Sequence, residues 1–277
     1  MAFLDIRFYY LLVMFSGLLI AFCVKKTFIS TLLARLAERL VSLSVHYQPI
    51  VDLHSSKWYG AEALVRFSFF GKEVRPNKIL FVCRALGINT FLTRAICKRV
   101  AKDYYSNLRV CSGIYLSINL TIEDLKDETF PGFVSELFKS YGLTEDRIVF
   151  EITEQHQIPF KDILPNVLYL QKLNFRIALD DFGSGYSGLQ ALERLPINII
   201  KMDKCFFSQQ EKKFLNMQNY MWQMSKQMRI VFVAEGIETR FEHKIVGIQG
   251  IRYAQGWFYS KALSATEFTR MFLVKNS

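Results

Sequence analysis

The chain has 277 residues, 51% of them hydrophobic, and a formal net charge of +10, enough to bury one large core of α/β-barrel size. Its five cysteines (Cys23, Cys83, Cys97, Cys111, Cys205) are odd in number with no CxxC spacing, and His46, His54, His156 and His243 form no HxxxH pattern. A disulfide framework and histidine-based zinc chemistry are thereby excluded, and a reducing compartment is the simplest reading. The basic balance suits an anionic partner such as a nucleotide, nucleic acid or anionic lipid, and is weak evidence by itself.

In chain order, the first feature is Phe8–Val24, an uncharged apolar run of 17 residues, at the short limit for a membrane-spanning helix. A signal peptide is disfavoured because no small-x-small site follows, and a core helix would need a polar face. Tyr9 and Tyr10 at one edge and Lys25 and Lys26 at the other predict a single-pass anchor in the inner (cytoplasmic) membrane, with the rest of the chain in the cytoplasm. Thr27–Ser44 reads as a linker helix with Leu32, Leu33, Leu36, Leu40 and Leu43 on one side, too short to claim a coiled coil. Residues 1–26, 27–44 and 45–277 are the expected anchor, linker and domain.

From Val45 the pattern is α/β. VHYQPIVDL and WYGAEALVRF are strand-like and four residues apart, hence an antiparallel hairpin. Strands are then predicted at Ile114–Leu120, Arg147–Glu154, Phe175–Asp181, Ile197–Asp203, Arg229–Gly236 and Arg252–Trp257. Helices fall at roughly 77–105, 122–141, 161–173, 187–194, 208–228, 239–249 and 264–274. Such alternation implies right-handed crossovers and a parallel sheet. Eight strands suit a closed barrel better than an open sheet.

Acidic residues end these runs: Glu62, Glu151, Glu154, Asp180, Asp181, Glu235 and Glu238. A carboxylate at the end of a buried strand is costly unless something cationic neutralises it. A single such acid is more often a cap or salt-bridge partner; the repetition is what points to a site. Functional residues of a barrel gather at the C-terminal strand ends, where Glu62, Asn119, Glu151, Asp180, Lys201, Glu235 and Gln255 all fall. Hard oxygen ligands without His or Cys suit Mg²⁺ or Mn²⁺. The adjacent Asp180 and Asp181 are the natural bridge of a two-ion site for phosphoryl displacement, with Lys201 orienting water or offsetting phosphate charge.

The ordered series YQPIVDL, GAEALVRF, SINL, FEITE, DDFGSGYSGL, IIKMDKCF, VAEGIET and AQGWFYSKAL, from about His46 to Phe268, resembles the EAL-domain family, the phosphodiesterases of cyclic di-GMP. The resemblance implies a barrel of the TIM (β/α)8 type with one antiparallel strand. By similarity, Glu62, Asn119, Glu151 and Asp180 would ligate one ion, and Asp180, Asp181 and Glu235 the second. Lys201 and Glu235 would handle the attacking water, with the general base left open, and Glu238 and Gln255 would support it. Arg66 would contact a substrate phosphate, Gln48 would lie near the nucleotide, and Glu154 would hold the loop Gly183–Ser187, which couples the metal site to a homodimer. The reaction implied is hydrolysis of one phosphodiester bond to linear pGpG. A silent member that senses cyclic di-GMP or binds a protein is the alternative. Polymeric nucleic acid is not expected, because no interleaved aromatic and basic groove is present. Three departures stand out: Arg84 where relatives usually carry an acid, Gly188 where Ser is usual, and a short anchor with no sensory module, as in a shortened form of a longer protein.

Overall fold

The computed structural model describes residues 41–154, 158–183, 188–208, 227 and 229–277. They divide into two compact units, one whose described part is residues 41–43 and 66–92, the other Ser44–Val65 with Thr93–Ser277.

The larger unit is built on eight strands that close on themselves. They are β1 (Val41–Asp52), β2 (Trp58–Phe69), β4 (Tyr115–Leu120), β5 (Ile148–Thr153), β6 (Arg176–Phe182), β7 (Ile199–Met202), β8 (Val231–Ala234) and β9 (Tyr253–Gln255). Seven are parallel in the order β2-β4-β5-β6-β7-β8-β9. β1 runs antiparallel to β9, with Ile50 opposite Gln255, and its pairing with β2 closes the ring. The expected barrel with one antiparallel strand is therefore present. Two short strands escaped the sequence reading: β3 (Lys72–Val74) and β10 (Leu263–Ser264), the latter pairing with β1 at His46 and Tyr47. Runs of two or three residues are too short to show a period.

Side chains alternate between barrel interior and exterior. Ile50, Tyr115, Val149, Ala178, Ile199 and Val233 form one apolar interior cluster. Outside, helices bury one stripe each against the strands. Val134 and Phe138 of α4 (Phe130–Ser140) are buried, as are Ile163, Val167 and Leu170 of α5 (Phe160–Lys172). Three helices open with reciprocal capping boxes, Thr121 with Asp124, Thr239 with Glu242 and Ser264 with Glu267, which satisfy backbone donors at α3 (Ile122–Lys126), α8 (Arg240–Ile248) and α9 (Ala265–Asn276).

In the smaller unit, the end of β2 pairs antiparallel with β3 across a turn at Phe70-Gly71. Helix α1 (Pro76–Ala85) follows, with Ile79, Val82 and Cys83 clustered against Leu86, Ile88 and Leu92.

Two expectations about the chain start are corrected. The linker helix does not reach Ser44, because Val41–Ser44 belong to β1; Val41-Ser42-Leu43-Ser44-Val45 alternates with period 2, a strand pattern. Residues 27–40 lie outside the described residues, as does Phe8–Val24. The single-pass membrane localisation is not supported: among the described residues no helix is long and apolar enough to cross a membrane. The longest of them, α2 (Asn89–Ser106), has 18 residues and carries Arg94, Lys98, Arg99, Lys102 and Asp103, so it cannot serve.

Candidate active site

One strand position beyond the apolar layer, the interior changes character. Val149 is followed two residues later by Glu151, Ala178 by Asp180, Ile199 by Lys201 and Val233 by Glu235. Period-2 geometry puts each pair on the same face, so the second members collect at the C-terminal ends of the parallel strands.

Lys201 is the hub. Its side chain is 2% exposed, and its Nζ lies 2.8 Å from Glu151 Oε2, 2.9 Å from Glu235 Oε1, 3.2 Å from Asp180 Oδ1 and 3.3 Å from Glu62 Oε2. Asn119 Nδ2 donates to Glu62 Oε1 at 3.0 Å, and Gln255 Nε2 donates to Glu62 Oε2 at 2.7 Å and to Gln48 Oε1 at 3.2 Å. Gln48 belongs to the antiparallel β1, whose middle therefore meets the C-terminal end of β9. Its own Nε2 donates to the Ser260 carbonyl at 3.1 Å, a partner that loop sequence gave no means of finding.

Asp180 and Asp181 end β6 at a bulge. The register to β7 shifts between Leu179 and Phe182, and Asp181 has φ +55. A regular strand would send two successive carboxylates to opposite faces. The bulge and the left-handed residue, which Asp tolerates better than most, re-aim one of them. A carboxylate oxygen from each of Asp180, Asp181 and Glu235 lies within 4.8 Å of the others. Gly183 closes the turn with φ +97, and a Cβ there would strike the Phe206 ring. Its N–H donates to Glu154 Oε1 at 3.0 Å. Glu154, 2% exposed, thus holds the first residue of the glycine loop; loop residues 184–187 lie outside the described residues.

The electrostatics follow from crowding. Burial pushes the Glu151 carboxyl up to about 8; Lys201 opposes this, while Glu62 and Asp180 reinforce it. Burial also raises Glu235 well above the ordinary range. Asp181 is pushed up to about 6, by burial first and then by Asp180 and Asp203. Asp203, just past β7, was not singled out from sequence, although a strand-end acid two residues after Lys201 was the available signal. Burial disfavours the Lys201 charge, but Asp180, Glu151, Glu235 and Glu62 outweigh it and hold the ammonium protonated.

Two further expected site residues are seen in ion pairs of their own. Glu238 is half-exposed and pairs with Lys204 at 3.7 Å. Arg66 belongs to the smaller unit, where its Nε lies 4.0 Å from Glu73 Oε1.

The set fits divalent cations. All candidate donors are hard oxygens. Glu151 Oε1 is fully buried without a hydrogen-bond partner, and Asp180 Oδ1 faces Lys201 at ion-pair distance without hydrogen-bond geometry. Among the described residues, five carboxylates, Glu62, Glu151, Asp180, Asp181 and Glu235, share one ammonium. Buried anions in that excess require counter-cations or protons.

Comparison with known proteins gives the same direction. The EAL domain profile matches residues 33–262. The probable cyclic di-GMP phosphodiesterase PdeB of Escherichia coli (strain K12) is 35% identical over 229 residues, 82% of this chain and 44% of PdeB. The probable cyclic di-GMP phosphodiesterase PdeN of the same strain is 26% identical over 230 residues, again 82% of this chain and 44% of the relative. The chain spans less than half the length of both. The solved EAL enzyme Bd1971, in its cAMP- and cyclic-di-GMP-bound form, superposes with a TM-score of 0.77 at 24% identity, over 90% of this chain and 70% of that one, a likeness of fold. A profile covering most of the residues, together with 35% identity across four-fifths of the chain, makes this protein a member of the EAL-domain family.

Proposed function

We propose that the chain is a phosphodiesterase that hydrolyses cyclic di-GMP to linear pGpG with two divalent ions, Mg²⁺ or Mn²⁺. The observation that carries this is the excess of buried carboxylate around Lys201. An apolar barrel has no structural use for five acids and one lysine in its interior, and their mutual repulsion is relieved only by cations or protons. Family membership and the cyclic di-GMP phosphodiesterases among its relatives support the choice of substrate.

In this reading Glu62, Asn119, Glu151 and Asp180 hold one ion, and Asp180, Asp181 and Glu235 the other. Bound ions would supply Lewis acidity toward the phosphoryl oxygens and a nucleophile near neutral pH. Asn119 donates its amide N–H to Glu62, which leaves its carbonyl oxygen as an uncharged donor for an ion. Lys201, held protonated by its neighbours, is a donor that orients the attacking water and offsets phosphate charge. Gln255 donates to the Glu62 oxygen that Asn119 leaves free and passes the restraint to Gln48, which is expected to lie near the nucleotide. Glu154 fixes Gly183, two residues after Asp181, and so ties the start of the glycine loop to the Asp180–Asp181 pair. A homodimer contact acting on that loop belongs to the same proposal.

The test is incubation of the purified chain with cyclic di-GMP and Mg²⁺ or Mn²⁺. Metal-dependent appearance of pGpG is expected. Tight binding of cyclic di-GMP without turnover under both metals would replace the enzyme by a sensor.

A further inference from the structure

The segment Arg66–Leu92 carries a surface that the barrel chemistry does not use. One side of α1 is packed, through Ile79, Val82 and Cys83. The other side presents Phe81, 73% exposed, with Lys78 three residues before it and Arg84 three residues after, both neighbours of Phe81 on a helix surface.

A second aromatic projects from the turn between β2 and β3. Phe69 pairs with Lys72, so Phe70 and Gly71 form a two-residue loop, with φ +48 and +76. Asn-Gly is the preferred pair for such a turn. A bulky residue in the left-handed region is strained, and strain of this kind marks functional positions. The Phe70 ring recovers little by burial: it is 74% exposed, with the edge of the Phe69 ring 4.6 Å away between centroids. An exposed apolar residue alone is ordinary; a strained one beside exposed cations is not. Lys72, Arg75, Lys78 and Arg84 are exposed in the same stretch. Its one acid, Glu73, lies 4.0 Å from Arg66.

Both rings are about three-quarters exposed, which disfavours a protein ligand inserting its own anchors. Projecting rings set among basic heads suit a soft anionic surface, where rings enter the headgroup boundary and the cations stay with phosphates. We propose that Phe70 and Phe81, with Lys72, Arg75, Lys78 and Arg84, form a peripheral contact for an anionic phospholipid surface. The contact crosses nothing, and it is independent of hydrolysis.

The experiment places a reporter on the patch itself. Phe81→Trp is introduced into the full chain, and its emission is compared with that of the unsubstituted protein during titration with phosphatidylcholine vesicles, with and without phosphatidylglycerol. Emission from position 81 should shift to the blue only with phosphatidylglycerol. The shift should reverse at about 1 M salt, where the screening length is about 3 Å. It should fall several-fold when Phe70→Ser and Arg84→Glu are added in a chain of unchanged circular dichroism. No shift, an equal shift on neutral vesicles, or a shift that survives both added substitutions overturns the proposal. So does a shift obtained with polyglutamate or single-stranded RNA but not with vesicles. Attachment through another part of the chain would leave the reporter silent, and would therefore count against the patch.

Discussion

Two residues separate Val149 from Glu151, Ala178 from Asp180, Ile199 from Lys201 and Val233 from Glu235. In each pair the first side chain lies in the apolar layer of the barrel interior and the second in the charged cluster above it. The lower layer works by ordinary burial, each large aliphatic side chain contributing about 1.5–3 kcal/mol. The upper layer is buried or half-buried and, among the described residues, carries more acids than its single ammonium can neutralise. One set of strands thus supplies a stabilising layer and, one pleat along, a layer whose electrostatic cost makes sense only as function.

The comparison is broken most severely at a proposed metal ligand. Asp180→Ala or Glu62→Ala should lower turnover by about 10³-fold, an ion's share of transition-state stabilisation of about 4 kcal/mol, in a chain of unchanged circular dichroism. Near-normal pGpG production by either folded variant would remove the cluster from the chemistry.

Lys201→Met tests the same layer through stability. Removing the one cation from a buried carboxylate set should cost the metal-free protein about 3–5 kcal/mol, read as a shift in denaturant midpoint, and Mn²⁺ should restore part of it. Turnover should fall by about 10²-fold or more while cyclic di-GMP still binds, because water positioning matters chiefly in the transition state. Lost affinity with an unchanged rate constant would make Lys201 a phosphate anchor instead.

Titration gives a smaller signal whose sign is fixed. Glu151 and Asp181 have carboxyl pKa values raised from 4.5 to about 8 and from 3.8 to about 6. The folded state therefore binds more protons than the unfolded state between these limits, and the stability they confer is full at low pH and lost as pH rises toward 8. In EDTA, Tm should drop by a few degrees between pH 6 and pH 8. With saturating Mn²⁺ the drop should largely vanish, since the ion replaces the proton. A Tm that rises over this interval in EDTA would contradict the charge excess.

The smallest effect is expected one layer down. Ile199→Val should cost about 0.5–1.5 kcal/mol of stability and leave turnover within about twofold, although residue 199 is two positions from Lys201. A large loss of activity there would mean that the two layers are not separable.

Much of the upper layer was legible because period 2 is a strong rule for strands. Glu62, Asn119, Glu151, Asp180, Lys201 and Glu235 share the inward face at strand ends, and the hairpin implied that β1 runs backwards. Where the backbone leaves that rule, legibility fails. The position of Asp181 depends on a bulge and a φ of +55, neither of which is written in residue types. Glu238 lies on a loop past β8, where no period places a side chain, and it pairs with Lys204. Asp203 enters only as the neighbour that raises Asp181. At the chain start, Leu43 was read on a helical stripe with Leu36 and Leu40, yet alternating Val41–Val45 enters β1; a five-residue stretch satisfied both periods and hydrogen bonding to the sheet decided.

The central claim, that the charged layer exists to hold divalent ions, is tested most directly by calorimetric titration of the full chain with Mn²⁺ in the absence of nucleotide. Two ions per chain are expected, with protons released in greater number at pH 6 than at pH 8.5, and Asp181→Asn should remove one ion. Absence of binding at millimolar Mn²⁺, or an unchanged isotherm for Asp180→Ala, would contradict it.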